Sequence, residues 1–302
     1  MIPHQFPIVR YKLQFEVTER IELPTYAGST LRGAFGQALR KISGMKSFED
    51  NKGDLSPYAQ IFAPSIPKHK HSQKFSQVPS AYIIEPPQWG AREYNVGEIL
   101  SFDIVLFGNL LDKLAIIIFA FQQAFQYKVA QGKGNLIHVY QQDNQLQWQH
   151  IWKNGILKPI SNEVIIPDNL SSSFNLHLQT PLRLQQNGKP LRVNTINVTR
   201  FLLTLAKRIS LLSEFYQEPL NLDFAQLKQE ISEVKDIKFL EWQDWYRYSS
   251  RQQQKMALGG VIGEWQLSNL SQNWQKLIYL GQWLHCGKNA TFGLGKYKIT
   301  NV

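Results

Sequence analysis

One hydrophobic pattern occurs twice in this chain, in the same order, and that repetition limits the fold more than any single motif. In the first half Val9, Tyr11, Leu13, Phe15 and Val17 alternate with polar residues, the period of a half-buried strand. A turn over 24–28 leads into a helix with Ser29 as its N-cap and Leu31, Ala34, Phe35, Ala38, Leu39 and Ile42 on its inner side. Strands are predicted at 80–85 and 99–107, and a second helix carries Leu110, Leu114, Ile117, Ile118, Phe121 and Phe125. Gly132-Lys133-Gly134 then precedes a closing strand at 135–140. The second half repeats the plan. Alternating Phe174, Leu176 and Leu178 are followed by a helix with Val198, Phe201, Leu202, Leu205, Ile209 and Leu212. Strands at 238–248 and 260–267, a helix at 272–285, a glycine-rich stretch at 287–295 and a strand at 296–300 complete it. Each half reads β-α-β-β-α-β, so the expected class is α+β, two tandem ferredoxin-like domains. Their bounds are set at 1–145 and 173–302, with the polar, Gln/Asn-rich stretch 146–172 as an arm and linker.

Charge narrows the partner. The 302 residues carry 33 Lys and Arg against 23 Asp and Glu, a net +10, which favours a polyanion, nucleic acid before an anionic membrane. The most apolar stretch, 106–121, is broken by Asp112 and Lys113, and its uninterrupted run is too short to span a bilayer. The N-terminus lacks the basic-then-apolar-then-small pattern of a secretion signal, so a cytoplasmic protein is expected. A single cysteine, Cys286, excludes an intrachain disulfide and a multi-thiolate zinc site. No H-E-x-x-H or clustered-carboxylate pattern occurs, and neither a metal nor a cofactor is expected. A ferredoxin-like unit also presents an open sheet face of the kind on which RNA lies, although the aromatic signature of an RNA-recognition motif is missing.

The segment from His285 to Tyr297 is the richest in chemistry. Gly287, Gly293 and Gly295 let the backbone turn sharply and approach a ligand, while Lys288, Lys296 and the Thr291 hydroxyl suit a phosphate. It is not a P-loop, because it precedes a strand and lacks G-x-x-x-x-G-K-[ST]. Two further sets fit RNA. Arg32 follows the cap at Ser29, so that a helix N-terminus and a guanidinium converge on one phosphate. Arg247 and Arg251 are interleaved with Tyr246 and Tyr248, a pattern suited to unpaired bases.

The sequence Leu258-Gly259-Gly260-Val261-Ile262-Gly263, then a helix, then Leu284-His285-Cys286-Gly287-Lys288 and Thr291-Phe292-Gly293-Leu294-Gly295 resembles the carboxy-terminal half of the CRISPR repeat-RNA-processing endoribonucleases of the RAMP superfamily. Leu31-Arg32-Gly33-Ala34-Phe35-Gly36, Ile84-Glu85-Pro86-Pro87 and Thr180-Pro181-Leu182-Arg183-Leu184 extend the resemblance in the same order. It implies metal-independent cleavage of precursor CRISPR RNA, in which the 2′-hydroxyl beside the scissile bond attacks the phosphate. The products carry a 2′,3′-cyclic phosphate and a 5′-hydroxyl. It implies CRISPR repeat RNA as partner, with subunits of a CRISPR effector complex as further partners. Relatives often carry a catalytic histidine on or just after the first helix; Gln37, Arg40 and Lys41 lie there in this chain.

Such a reaction needs a base, an acid for the departing 5′-oxygen and cations for the phosphorane charge. His285 is the leading candidate acid, placed at a helix end where the dipole favours imidazolium, with Lys288 as its cationic partner. His69 and His71, inside Lys68-His69-Lys70-His71, are the alternative pair, in a basic loop able to touch RNA. His177 faces the polar side of its strand. A catalytically silent RNA-binding subunit of the same fold is the alternative to an enzyme.

Overall fold

The computed structural model describes residues 2–45, 56–64, 78–87, 92–153, 155–161, 163–249 and 254–302. The chain divides into two compact units. One comprises Pro7–Glu163 with Phe215–Gln217, the other Met1–Phe6, Val164–Glu214 and Glu218–Val302.

The first unit is built from β1 (Ile8–Glu19), α1 (Gly28–Ile42), β2 (Tyr82–Glu85), β3 (Ile99–Phe107), α2 (Leu114–Tyr127), β4 (Lys133–Gln142) and β5 (Trp148–His150). Its antiparallel sheet runs β2-β3-β1-β4-β5. The alternation of β1 turns Val9, Tyr11, Leu13, Phe15 and Val17 to the interior, all at most 4% exposed. There they meet the helices in a largely aromatic core: Phe15 stacks on Phe125 with centroids 3.9 Å apart, and Phe35 on Phe121 at 4.5 Å. Aromatic pairs of this kind add to the area they bury. The N-cap of α1 is Ala27 and makes no side-chain capping bond, so Ser29 lies inside the helix rather than before it. The turn at 108–113 is a 3-10 helix that leads into α2.

The polar segment 146–172 is predicted as an arm and linker. Instead Trp148–His150 forms the fifth strand, paired with Tyr140–Gln142. The buried Gln141 side chain extends that attachment like a strand, donating to the Ile160 carbonyl at 2.8 Å and accepting from its N–H at 3.1 Å. Backbone pairing holds the edge, so its side chains stay polar and composition alone reads as linker.

The second unit repeats the topology with β6 (Phe174–Leu182), α3 (Val198–Tyr216), α4 (Phe224–Glu230), β7 (Lys235–Gln243), β8 (Gly260–Ser268), α5 (Gln272–Leu284) and β9 (Tyr297–Asn301). Its sheet order is β7-β8-β6-β9, antiparallel throughout, the same as β2-β3-β1-β4 of the first unit. Both units are therefore ferredoxin-like. Leu176, Phe201, Leu205, Trp265, Trp274 and Tyr297 form the core, each fully buried, and the Tyr297 hydroxyl donates to the Ile278 carbonyl at 2.7 Å. The predicted strand over 238–248 is two strands, because it bends after Gln243 into a hairpin strand, Tyr246–Ser249. The short α4 carries too few apolar positions to stand out by periodicity; Asp223 caps it through bonds to the Ala225 and Gln226 amides. No helix among the described residues is long and apolar enough to cross a membrane.

One buried ion pair ties β1 to the sheet's edge. Arg10 Nη2 donates to Glu85 Oε1 at 3.0 Å and its Nε lies 3.0 Å from Oε2, with side-chain exposures of 13% and 4%. Removing one member of such a pair strands the other charge in the interior, at a cost of about 3–5 kcal/mol. Glu85→Ala should lower the unfolding free energy by about that amount in denaturant titration. Replacing both residues by apolar ones should cost less than Glu85→Ala alone.

Candidate nucleic-acid interface of the glycine-loop unit

The stretch between α5 and β9 is a clasp. His285 ends α5 at φ 55°, ψ 169°, and its amide still donates to Gly281 O at 2.9 Å. The next residues return along the end of β6: Cys286 N–H donates to Gly295 O (3.1 Å), Lys288 N–H to Arg183 O (2.9 Å) and Gly295 N–H to Pro181 O (3.0 Å). The Thr180 hydroxyl closes it, donating to Gly293 O and accepting from Lys296 N–H, both at 2.8 Å. The glycines are required by geometry. At Gly287 (φ 87°) a Cβ would lie 2.6 Å from Arg183 O, and at Gly295 (φ 69°) one would lie 1.8 Å from Cys286 O.

The glycines thus bring the backbone close to the chain's own carbonyls rather than to a ligand. The N–H groups of Lys288, Phe292, Gly293 and Gly295 are spent on carbonyls inside the clasp. Thr291 sits half-buried in a single 3-10 turn, Ala290–Phe292, and half-buried Lys296 is tied by its amide to Thr180.

His285 is corrected as well. It is fully buried, with Nδ1 3.2 Å from the Leu294 carbonyl oxygen. A carbonyl only accepts, so Nδ1 carries the proton and the ring fastens the loop to the helix end. With no exposed surface, it does not reach a leaving oxygen in this structure. Its neighbour Cys286 is equally buried; burial pushes the thiol up to about 12 against the opposing pull of Arg208 and the Gly287 amide. Arg208 also caps α5, its Nε donating to Leu284 O at 2.7 Å, where a cation suits the helix dipole.

The clasp does bring cations together. Exposed Lys288 and Gly287 border a cavity of about 330 Å³ whose other walls include Arg183 at the end of β6 and Arg200, Thr204 and Lys207 on α3. Among the described residues that line it, four are cationic and none is a carboxylate. Arg183 is anchored by a 2.7 Å bond from Nη1 to Gly259 O, and Arg200 grips Gln185 O through Nε (3.0 Å) and Nη2 (2.7 Å). Burial first, and the charge of Arg192 second, lower the Arg183 pKa from its ordinary value. An anion entering the cavity offsets the cost of gathering its four cations, so the site suits phosphate. Lys288 and Gly287 are the site residues expected from sequence here, and Arg183 belongs to the segment 180–184 that carries the resemblance. Arg200, Thr204 and Lys207 fall at i, i+4 and i+7, a polar stripe opposite Phe201, Leu205 and Ile209 that was legible as such.

The remaining candidates do not converge here. In the other unit Arg32 donates from Nε to the Tyr82 hydroxyl at 3.0 Å, and its guanidinium lies 4.2 Å over the Phe62 ring, for which Gly36 leaves room. It lies in the second turn of α1, held by aromatics and not paired with a capping serine. His177 Nδ1 is 3.3 Å from Glu264 and its Nε2 is 3.2 Å from the Thr300 hydroxyl. Arg247 belongs to the hairpin strand Tyr246–Ser249; His69, His71 and Arg251 lie outside the described residues. No group of three His, Cys, Asp or Glu side chains that could hold a metal ion occurs among the described residues.

Two units of one topology, the second closed by a glycine clasp over a basic cavity, define a tandem ferredoxin-like protein. Residues 176–297 match the family model described as CRISPR-associated endoribonuclease Cas6, and residues 6–164 match the N-terminal domain AF_1859_N. The chain thus carries the AF_1859_N N-terminal domain, and its second unit carries a domain of the CRISPR-associated Cas6 type. No curated protein matches it in sequence. Among solved structures it is similar to a chain of a partial Cas6-RT-Cas1–Cas2 complex (13% identity, TM-score 0.61), covering all of this chain and 47% of that one. In a second structure of the Cas6-RT-Cas1–Cas2 complex it spans 29% of the matched chain. A Cas6 product complex (14% identity, TM-score 0.59) covers 97% of this chain and 100% of its own. Thermus thermophilus Cas6 (12% identity, TM-score 0.54) covers 99% and 100%. At these identities the likeness is one of fold.

His285→Ala should act on stability. It removes a buried ring and its bond to the Leu294 carbonyl, a loss of about 2–5 kcal/mol on the scale of large-to-small core substitutions, visible in a thermal melt. Any RNA cutting by the fraction that stays folded should survive it.

Proposed function

We propose that this protein is an endoribonuclease that binds CRISPR repeat RNA and cuts precursor transcripts without a metal. The RNA's own 2′-oxygen attacks the adjacent phosphorus, the bond to the 5′-oxygen breaks, and the ends are a 2′,3′-cyclic phosphate and a 5′-hydroxyl. The observation that carries this reading is that the clasp and all four cavity cations lie inside the segment that matches the Cas6 endoribonuclease model. Arg183, Arg200 and Lys207 take the phosphate, and exposed Lys288 sits at the mouth, where its ammonium stabilises the phosphorane and is able to protonate the leaving oxygen. Gly287, Gly293, Gly295, Thr291 and Lys296 serve by holding Lys288 and Arg183 in place, while Arg32, seated on Tyr82 and Phe62 in the other unit, is a separate candidate for a phosphate contact. Repeat RNA is the partner. We place it in the cytoplasm, beside other CRISPR subunits; a neighbour of the same fold occurs in a Cas6-RT-Cas1–Cas2 complex.

One observation favours a second reading, an RNA-binding subunit that does not cut. The best histidine of the described cavity unit is sealed in the core, and the first helix offers Gln37, Arg40 and Lys41 where relatives often carry a catalytic histidine.

Purified protein incubated with repeat RNA in excess EDTA should yield cyclic-phosphate ends, and a 2′-deoxy substitution at the cut should stop the reaction. A magnesium requirement would sink the mechanism; tight binding with no cutting under any condition would establish the second reading. Lys288→Ala should slow single-turnover cutting by about 10²-fold, the scale of losing one donor to a developing oxyanion. Lys207→Ala should chiefly weaken binding and flatten its salt dependence.

A further inference from the structure

The open sheet face of the first unit carries a cluster of rings that the cavity does not use. Register places Lys12, Tyr140 and His150 side by side across β1, β4 and β5. The neighbouring rows hold Trp148 opposite Gln142 and His138 opposite Gln14. Tyr11, Leu13 and Val139, which alternate with these residues, are buried in the core, so the rings stand on the opposite side of the sheet. They already touch. Tyr140 and His150 have centroids 5.1 Å apart, His138 and Tyr140 are separated by 5.8 Å, and His138 Nδ1 lies 3.3 Å from His150 Nε2. Lys12 Nζ sits 4.2 Å from the Trp148 ring centre and 4.0 Å from Asp103, which fixes the indole at the sheet edge. His150 is exposed, and Trp148, Tyr140 and His138 are half-exposed.

Three half-open rings and an exposed imidazole beside a lysine have little reason to collect on a solvent face unless something flat covers them. Neutral apolar partners do not fit, because each imidazole and the phenol keep polar edges that a dry interface strands. Unpaired nucleobases do fit. They stack on indole, phenol and imidazole faces, keep their own edges wet, and bring phosphates to a chain of net +10. The rings come from β4 and β5, paired across the sheet edge. The geometry points to a second RNA subsite: His138, Tyr140, Trp148 and His150 form a stacking platform for a single-stranded segment of the bound RNA. This rests on the reading of the protein as an RNA binder, and it names the part of the RNA, unpaired and stacked, that the basic cavity does not select.

The test uses the full chain and three labelled RNAs: an oligouridylate of roughly ten nucleotides, within the span of single-stranded sites, a blunt RNA duplex, and the repeat RNA. Fluorescence anisotropy is read for wild type, His150→Ala, Trp148→Ala and the Tyr140→Ala/Trp148→Ala pair, with thermal melts as a folding control. The expected result is a loss of at least about five-fold in oligouridylate affinity per ring removed. Trp148→Phe should retain most of the affinity, and duplex affinity should not move. Since His150 is exposed, its variant keeps the test valid even if the Tyr140 change disturbs folding. If wild type binds and cuts repeat RNA while all ring variants bind oligouridylate like wild type, the platform is overturned and the endoribonuclease reading stands. If wild type binds none of the three RNAs, both are overturned.

Discussion

The second unit depends on the Thr180 hydroxyl, which bridges Gly293 O and Lys296 N–H and so joins the glycine clasp to the end of β6. The clasp's share of the cavity follows from that junction. It sets the backbone path that ties Lys288 N–H to Arg183 O, and therefore the spacing of two cations. Glycine is needed at 287 and 295 because the two stretches of backbone run too close for a Cβ. The glycines shape the site without lining it with amides, and recognition passes to side chains.

Collecting four positive side chains around one cavity is unfavourable by itself. Their carriers hold them anyway: β6 and the clasp present Arg183 and Lys288, and α3 presents Arg200 and Lys207, each element fixed by its own core face. Rigid elements that over-determine charge placement make a preorganised anion site, which loses little freedom when a phosphate arrives. The first unit has the same topology but spends its chemistry differently. Its arginines at 10 and 32 are engaged with Glu85, Tyr82 and Phe62. One architecture thus carries two surfaces with different chemistry, in keeping with the rule that function belongs to sites and not to folds.

The fold was largely legible because its signal is periodic. Alternation in 9–17 and 174–178 and the helical stripes of α1, α2, α3 and α5 reflect one buried face each, and burial is what hydrophobic pattern records. Polar segments that fold through backbone pairing were not legible. Trp148–His150 joins a sheet by its main chain, and Gln141 imitates a strand with an amide that composition counts as merely polar. The site was half legible. The glycine stretch announced itself, yet its sequence does not distinguish amides turned outward from amides spent on Pro181 and Arg183. His285 misled for a similar reason: a titratable residue at a helix end looks available, and only the packing of Leu294 against it shows that its ring faces inward. Arg200 and Lys207 form a stripe in the sequence, but a polar helix face does not show which loop will close beside it.

The burial of Cys286 has a use of its own. The chain's single thiol lies beneath the clasp with its proton held up to about 12, so it is inert while the loop is shut. A thiol reagent added to the native protein meets no competing cysteine. Its rate of reaction therefore reports whatever opening uncovers this one position, whether of the clasp or of the whole unit, and a single site reads it.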